Sequence, residues 1–233
     1  MLVTGGYLLA QGSPTTTSLI NLDSDVGEQL LLESNARKDY LPLTLEFVTQ
    51  DNLAYCGVAS IVMVLNALDI PAPEAAGYRS FRFFTQQNIF DNAKTQAVIT
   101  PDVISRQGMT LAELGGLLAS YPLEVEVHHG GDVTLDEFRA LAIDNLQQPN
   151  NFVLVNYLRR TLGQERGGHI SPIAAYNEES DRFLILDVSR YKYPPVWVPA
   201  ETLWQAMATV DSVSDKTRGF VLVSAGDEVV GGR

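Results

Sequence analysis

The hydrophobic pattern of this chain changes its period about halfway along, and this change limits the folds that the chain can adopt. In the first half, apolar residues recur at spacings of three and four between Cys56 and Leu68, which predicts a buried helix. Thr110 with Glu113, and Thr134 with Glu137, form capping-box patterns ahead of apolar residues and predict two more helices. We therefore expect the first half to be mainly helical.

The second half contains short runs of β-branched and aromatic residues bounded by glycine-rich or polar turns. These runs are Asn151 to Leu158, Ile170 to Tyr176, Arg182 to Asp187 and Gly219 to Val223. They predict a meandering antiparallel sheet. Helices followed by strands predict an α+β fold, and we expect two lobes with the functional site in the cleft between them.

The chain length allows a single domain, since 233 residues can bury a continuous apolar core. Its 45% hydrophobic and 19% charged residues are typical of a soluble globular protein. We expect residues 26–224 to form the domain and the weakly patterned ends, 1–25 and 225–233, to be loosely held. The opening residues look like the remnant of a signal region without its basic start, so cytoplasm and periplasm both stay open as locations.

The charge balance argues against several partners. Sixteen Lys and Arg against 28 Asp and Glu give a formal net charge of −12, which repels nucleic-acid phosphates and anionic lipids. We therefore expect no nucleic-acid partner. No run of about 18 apolar residues occurs, so we expect no membrane span either. The oligomeric state stays open, with a homodimer among the alternatives.

Cys56 is the single cysteine, so an internal disulfide is excluded and no protein metal site is predicted. A lone cysteine is either a small buried hydrophobe or a reactive thiolate. Cys56 lies where a loop becomes the predicted helix, and free N–H groups at a helix N-terminus stabilise a thiolate. Gly57 leaves these amides uncovered, and Gln50 can supply a side-chain N–H to an oxyanion.

A cysteine nucleophile needs a base, and the chain has three histidines: His128, His129 and His169. A solvated strand end or turn accounts for His128 and His129. His169 opens an apolar strand, where its ring can face a cleft, although a structural histidine is the alternative. Asp187 ends the strand one hairpin later and can orient the imidazole, with an ordinary turn residue as the alternative.

Three segments carry a more specific pattern: Gln50 to Ser60, Gly167 to Pro172, and Leu186 to Trp197 with its DVSRYKYPPVW run. Together they resemble the phytochelatin synthase family, which belongs to the papain-like cysteine peptidase clan. The similarity spans roughly residues 26–224. It implies a papain-like two-lobe fold with Cys56 as nucleophile, His169 as base, Asp187 as orienting residue and Gln50 as oxyanion-hole donor.

The resemblance also implies glutathione and γ-glutamylcysteine peptides as substrates. Cleavage of the Cys–Gly bond would leave a γ-glutamylcysteinyl thioester, which is hydrolysed or transferred to a second glutathione to make phytochelatin. The chain looks like the short bacterial form without the Cys-rich C-terminal region, in which hydrolysis tends to dominate. We expect no tightly bound cofactor, and cadmium or zinc to take part as glutathione thiolates.

The charges of glutathione, two carboxylates and one ammonium, call for cationic donors and a carboxylate in its site. Asp211 and Arg218 are similar to family positions that hold the γ-glutamyl ammonium and carboxylate, and Gly168 is included in this site. Further candidates, for the acceptor or glycyl side, are Arg159, Arg190 and Lys192. Exposed charge in turns or at strand ends is the alternative for all five charged residues.

Two other functions are compatible with these residues. A general papain-like peptidase would share the cysteine chemistry and differ in its pocket. A non-catalytic carrier of glutathione or metal thiolates would bind glutathione without releasing glycine, although one thiol makes a poor metal site.

Overall fold

The computed structural model of the chain describes residues 18–226. Its α-helices are α1 (Asp25–Glu33), α2 (Tyr40–Leu45), α3 (Cys56–Ala67), α4 (Ala93–Val98), α5 (Pro101–Gln107), α6 (Leu111–Leu118), α7 (Leu135–Gln147) and α8 (Ala200–Met207). Its strands are β1 (Ile20–Asn21), β2 (Leu123–His129), β3 (Asn151–Leu158), β4 (Gly168–Asn177), β5 (Arg182–Ile185), β6 (Val196–Pro199), β7 (Val210–Asp211), β8 (Lys216–Thr217) and β9 (Gly219–Ala225). Short 3-10 turns cover Asn88–Phe90 and Arg159–Leu162.

Seven strands form one antiparallel sheet in the order β1-β6-β5-β4-β3-β9-β2, and β7 pairs with β8 separately. Strands β3, β4 and β5 meander as predicted, and β6, which was not predicted, continues the meander. Strand β9 instead returns to the other side of β3, and β2 joins β9 at the sheet edge. The first half therefore contributes edge strands β1 and β2 as well as helices. Helices combined with an antiparallel sheet confirm the α+β class.

The predicted helices form with the predicted caps. Helix α3 ends one residue before the expected limit. Thr110 and Thr134 each accept a hydrogen bond from the N–H of the glutamate three residues on, whose side chain bonds back to the capping residue. Such reciprocal caps satisfy N–H groups that the helix itself leaves unpaired. The capping boxes thus fix where α6 and α7 begin.

The core lies on both faces of the sheet. Helix α3, buried from Cys56 to Leu65, and helix α6 pack on one face, against apolar residues such as Leu154 and Val221. Helices α7 and α8 cover the other face through Phe138 and Leu203. Burying each such side chain contributes about 1.5–3 kcal/mol. Because α3 packs directly on β4, the sheet holds the first turn of α3 in place.

Hydrogen bonds join the described parts of the chain ends to the sheet. Strand β1 pairs with β6, and the Ser24 side chain accepts a hydrogen bond from Gly27 N–H at the start of α1. These bonds attach residues 20–27 to the sheet. Strand β9 continues to Ala225. The rest of the expected loose ends, residues 1–17 and 227–233, lies outside the described residues.

A search of the described helices for a membrane span found none that is both long and apolar enough.

Candidate active site

Cys56 is the first residue of α3, as the sequence predicts. Its buried side chain lines a pocket of about 420 Å³. Burial raises the pKa of the Cys56 thiol, but a hydrogen bond from His169, the charge of that imidazole and the N–H groups of Ile170 and Gly57 lower it. The net result is a pKa below the ordinary value, which favours the thiolate.

His169 is the second residue of β4 and is buried beside Cys56. Its Nε2 lies 2.9 Å from Asp187 Oδ1 and 2.9 Å from Ser171 Oγ, which leaves Nδ1 for the thiol of Cys56. Burial lowers the pKa of His169, while the hydrogen bonds to Asp187 and Cys56 raise it above its ordinary value. The imidazole is therefore stabilised in its charged form beside a thiolate.

Asp187 lies two residues beyond β5 and is completely buried. Its Oδ1 accepts hydrogen bonds from the Ser189 N–H at 2.8 Å and from Arg159 Nη2 at 2.9 Å, and its Oδ2 accepts one from Arg159 Nη1 at 2.7 Å. Burial raises the pKa of Asp187, but His169 and Arg159 hold it far below its usual range. Asp187 is therefore ionised and oriented toward His169.

Arg159 is buried, unlike the exposed strand-end charge that was the alternative to a substrate contact. Only 3% of the residue is exposed, and its guanidinium is bonded to Asp187 and, at 2.6 Å, to Gln164 Oε1. The ring of Tyr193 stacks on it at 4.7 Å. Because its N–H groups are directed to Asp187, Arg159 lies behind the carboxylate and is not among the residues that line the pocket.

Arg190 and Lys192 also have partners outside this pocket. The Arg190 guanidinium stacks on the Phe47 ring at 4.6 Å and donates to the Phe47 carbonyl. Lys192 forms an ion pair with Glu165. Neither residue is part of the pocket lining, so the structure does not bring them together with Cys56.

Gln50 is held beside the loop that carries Asp187. Its Nε2 donates to the Asn52 carbonyl at 2.6 Å, and its Oε1 accepts from Ser189 Oγ at 2.5 Å. A carbonyl oxygen only accepts, so the Asn52 contact fixes which end of the amide carries the nitrogen. The second Nε2–H remains to donate to another acceptor.

Asp211, Arg218 and Gly168 line the same pocket as Cys56. Arg218 Nη1 donates to the Val210 carbonyl at 2.7 Å, and Nη2 lies 3.5 Å from Asp211 Oδ1. Among the described residues, nothing bonds the buried Nε of Arg218. A Cβ on Gly168 would lie 3.0 Å from the Arg218 guanidinium, so glycine is the residue that leaves room there.

The sequence analysis missed Asn156, a buried pocket residue on β3. The available signal was a polar residue inside an otherwise apolar run, between Val155 and Tyr157. Ser171 and Ser189 were missed as well, because their partners are distant in sequence or depend on the fold of a loop.

The other two histidines lie at the end of β2. His129 Nδ1 is 2.5 Å from the Thr217 carbonyl, and His128 stacks on Phe220 with ring centroids 4.8 Å apart. These contacts hold β2 to β8 and β9. A search of residues 18–226 for three or more His, Cys, Asp or Glu side chains that could hold a metal ion found none.

Taken together, the contacts form a chain from thiol to imidazole to carboxylate. A thiol with a lowered pKa beside an imidazole with a raised pKa forms a thiolate–imidazolium pair, which is suited to attack a carbonyl carbon. The fold and site therefore define an α+β protein with a buried thiol paired to an imidazole and a carboxylate.

Sequence comparisons identify the family. A family model described as Phytochelatin synthase matches residues 10–220, and the chain belongs to this family. Glutathione gamma-glutamylcysteinyltransferase 2 of Arabidopsis thaliana is 34% identical over 208 residues, covering 88% of this chain and 44% of the relative. Glutathione gamma-glutamylcysteinyltransferase of Schizosaccharomyces pombe is 31% identical over 204 residues, covering 86% of this chain and 48% of the relative. The chain thus spans less than half the length of these curated relatives.

Proposed function

We propose that this protein is a thiol-dependent acyl transferase that acts on glutathione. One observation carries the proposal: the Cys56–His169 pair and the Arg218–Asp211 pair line a single pocket, and no described residue bonds the buried Nε of Arg218. The first pair provides a nucleophile. The second provides opposite charges that fit an amino-acid end of a substrate. The names of the relatives supply the substrate, glutathione.

Arg218 and Asp211 bind the γ-glutamyl end of glutathione in this proposal. The α-carboxylate accepts hydrogen bonds from the Arg218 guanidinium, and the α-ammonium pairs with the Asp211 carboxylate. Gly168 supports this assignment, since the absence of a Cβ leaves space beside the guanidinium. The Asn156 amide adds a polar contact on the β3 wall. These contacts direct the γ-glutamylcysteine part of the substrate toward Cys56.

Acylation begins when the Cys56 thiolate attacks the carbonyl carbon of the Cys–Gly peptide bond. The oxyanion that forms accepts hydrogen bonds from the free Gln50 Nε2–H and from the Cys56 backbone N–H. The His169 imidazolium then donates its proton to the departing amine of glycine. Glycine leaves, and a γ-glutamylcysteinyl thioester remains on Cys56.

Deacylation uses the now neutral His169 as a general base. It accepts a proton from water, whose attack on the thioester releases γ-glutamylcysteine. Alternatively, it accepts a proton from the α-amino group of a second glutathione, whose attack releases phytochelatin. Either attack breaks the thioester and restores the Cys56 thiolate. Throughout, Asp187 keeps the imidazole oriented and stabilises its charged form.

The proposal includes the papain-like two-lobe arrangement for residues 26–224. In support, one pocket wall comes from the start of α3 and from residues 105–109 around the end of α5, and the other comes from β3, β4 and the β7–β9 region. The chain order Gln50, Cys56, His169, Asp187 is the one implied by the family resemblance. Heavy-metal ions enter this reaction as glutathione thiolates, with the substrate, since the protein offers one thiol and it is paired with His169.

The test is mass spectrometry of the protein quenched shortly after mixing with glutathione, together with measurement of released glycine. We expect a γ-glutamylcysteinyl adduct on Cys56 and steady glycine release. Cys56→Ser, which replaces sulfur by oxygen, should show neither and stay folded. Arg218→Met should keep a reactive thiol toward iodoacetamide but need much more glutathione for turnover.

Other outcomes would contradict the proposal. Cleavage of denatured protein at rates above those for glutathione would indicate a general peptidase. Tight glutathione binding without glycine release would indicate a carrier.

A further inference from the structure

Ser189 contacts two parts of the site at once. It is buried in the loop after Asp187, and its N–H donates to Asp187 Oδ1 at 2.8 Å. Its Oγ donates to Gln50 Oε1 at 2.5 Å. The Ser189 carbonyl accepts the N–H groups of Lys192 and Tyr193 at 2.7 and 3.2 Å, so the residue is itself held in a turn. One small side chain thus bridges the carboxylate loop and the amide of Gln50.

We propose that Ser189 is a positioning residue, which through its Oγ orients the Gln50 amide as an oxyanion donor; this inference rests on the proposed function. Apart from the N–H that bonds the oxyanion, the Gln50 amide can form three more hydrogen bonds. Two are accepted by the lone pairs of Oε1, and one is donated by the other N–H. Ser189 occupies Oε1 and the Asn52 carbonyl occupies one Nε2–H. With both ends of the planar amide held, the direction of the remaining N–H is fixed.

A purely structural role does not account for this contact. The two loops are already joined by the backbone, because the Gln50 N–H donates to the Val188 carbonyl at 3.0 Å. The Ser189 N–H bond to Asp187 also belongs to the backbone and survives removal of the hydroxyl. What Oγ adds is the orientation of the Gln50 side chain. Its loss should therefore affect the step in which the oxyanion forms.

The charge distribution of the amide strengthens the same argument. A hydrogen bond donated to Oε1 polarises the amide and makes its N–H groups better donors, because bonds in a chain reinforce one another. Ser189 therefore both aims the Gln50 N–H and strengthens it. Both effects act on the transition state, where negative charge develops on the substrate oxygen, and little on bound glutathione.

The experiment is a double-mutant cycle on glycine release from glutathione with Ser189→Ala, Gln50→Ala and the double variant. We expect Ser189→Ala to lower kcat about 10-fold with an unchanged KM, since a misplaced catalytic group costs this order of rate. On the Gln50→Ala background, the same change should have less than about a twofold effect, because there is no amide left to orient. Ser34→Ala removes a hydroxyl that is equally buried, far from the pocket and bonded to the Leu30 carbonyl, and it serves as the matched control.

A second measurement separates this role from an effect on Cys56. The pH dependence of Cys56 alkylation by iodoacetamide should be the same in Ser189→Ala and wild type, because the Asp187–His169–Cys56 contacts remain. A shifted alkylation profile, an equal loss of kcat on both backgrounds, or a kcat equal to that of Ser34→Ala would each overturn the inference while leaving the proposed function intact. Absence of glycine release from the wild-type protein would overturn both.

Discussion

An aspartate lies near each end of strand β5, and each is bound by an arginine. The two Asp–Arg pairs differ in how deeply they are buried. Before the strand, Asp181 accepts two hydrogen bonds of 2.9 Å from Arg139 and one of 2.8 Å from Tyr176 Oη. After the strand, Asp187 likewise accepts two hydrogen bonds from Arg159. The side chains of Arg139 and Asp181 are 24% and 42% exposed, whereas those of Arg159 and Asp187 are 4% and 0% exposed.

This comparison shows how burial changes the role of one kind of contact. Near the surface, water can solvate either partner of the Arg139–Asp181 pair, so the pair only joins α7 to the β4–β5 hairpin. In the interior, water cannot replace Arg159, and the Asp187 carboxylate stays charged only because cations and N–H groups surround it. The charge of Asp187 is therefore available to the His169 imidazole.

The largest difference should appear in catalysis. Asp187→Asn should lower the rate of glycine release by about 10⁴-fold, because an amide neither stabilises the imidazolium nor selects the correct tautomer. Asp181→Asn removes the same charge from the other end of β5 and should stay within about twofold of wild type. The measurement is kcat for glutathione in both variants. Similar losses in the two would show that the comparison between the pairs is wrong.

The next difference concerns stability. Arg159→Met should lower the free energy of unfolding by about 3–5 kcal/mol, because it leaves a buried carboxylate without the cation that bonds both of its oxygens. Arg139→Met should cost about 1 kcal/mol or less. Urea denaturation at neutral pH gives both values. Adding Asp187→Asn to Arg159→Met should recover part of the loss, since no unpaired charge then remains; no recovery would argue against a charge effect.

The smallest difference is a change in the pH dependence of Cys56 alkylation. In wild type, the pKa of Cys56 is lowered and that of His169 is raised, so alkylation should begin below the pH at which an ordinary thiol reacts. Asp187→Asn removes the carboxylate that raises the pKa of His169. The imidazolium is then lost at lower pH, the thiolate loses its partner, and the alkylation midpoint should move upward. Asp181→Asn should leave the midpoint unchanged, and a downward shift in Asp187→Asn would contradict the assigned charges.

Local sequence signals were sufficient for much of the fold and for the position of Cys56. Thr110 and Thr134 cap helices as predicted, because a capping box involves residues only three positions apart. Cys56 was placed at the start of α3 for the same local reason. The pairing of β9 with β2 was not predicted, because it joins residues about a hundred positions apart and depends on which sheet edge is free.

The surroundings of charged side chains were the other part that the sequence did not reveal. Arg159, Arg190 and Lys192 all carry a positive charge, yet Arg159 is buried against Asp187 while Lys192 pairs with Glu165 near the surface. A residue's partner is set by tertiary packing, which local pattern does not encode. Ser189 was missed for this reason, since its partner Gln50 lies far away in sequence.

The position of β9 has a consequence for how the protein is made. This strand lies between β3 and β2, yet it follows every other described strand in sequence. While the ribosome is still synthesising residues 219–225, one edge of β3 and the whole of β2 have no neighbour to bond, and such edges invite pairing with other chains. Arg218 immediately precedes β9, so the pocket wall that carries it is completed only when the sheet closes. A nascent chain therefore contains Cys56 long before Arg218 takes its place in the pocket wall.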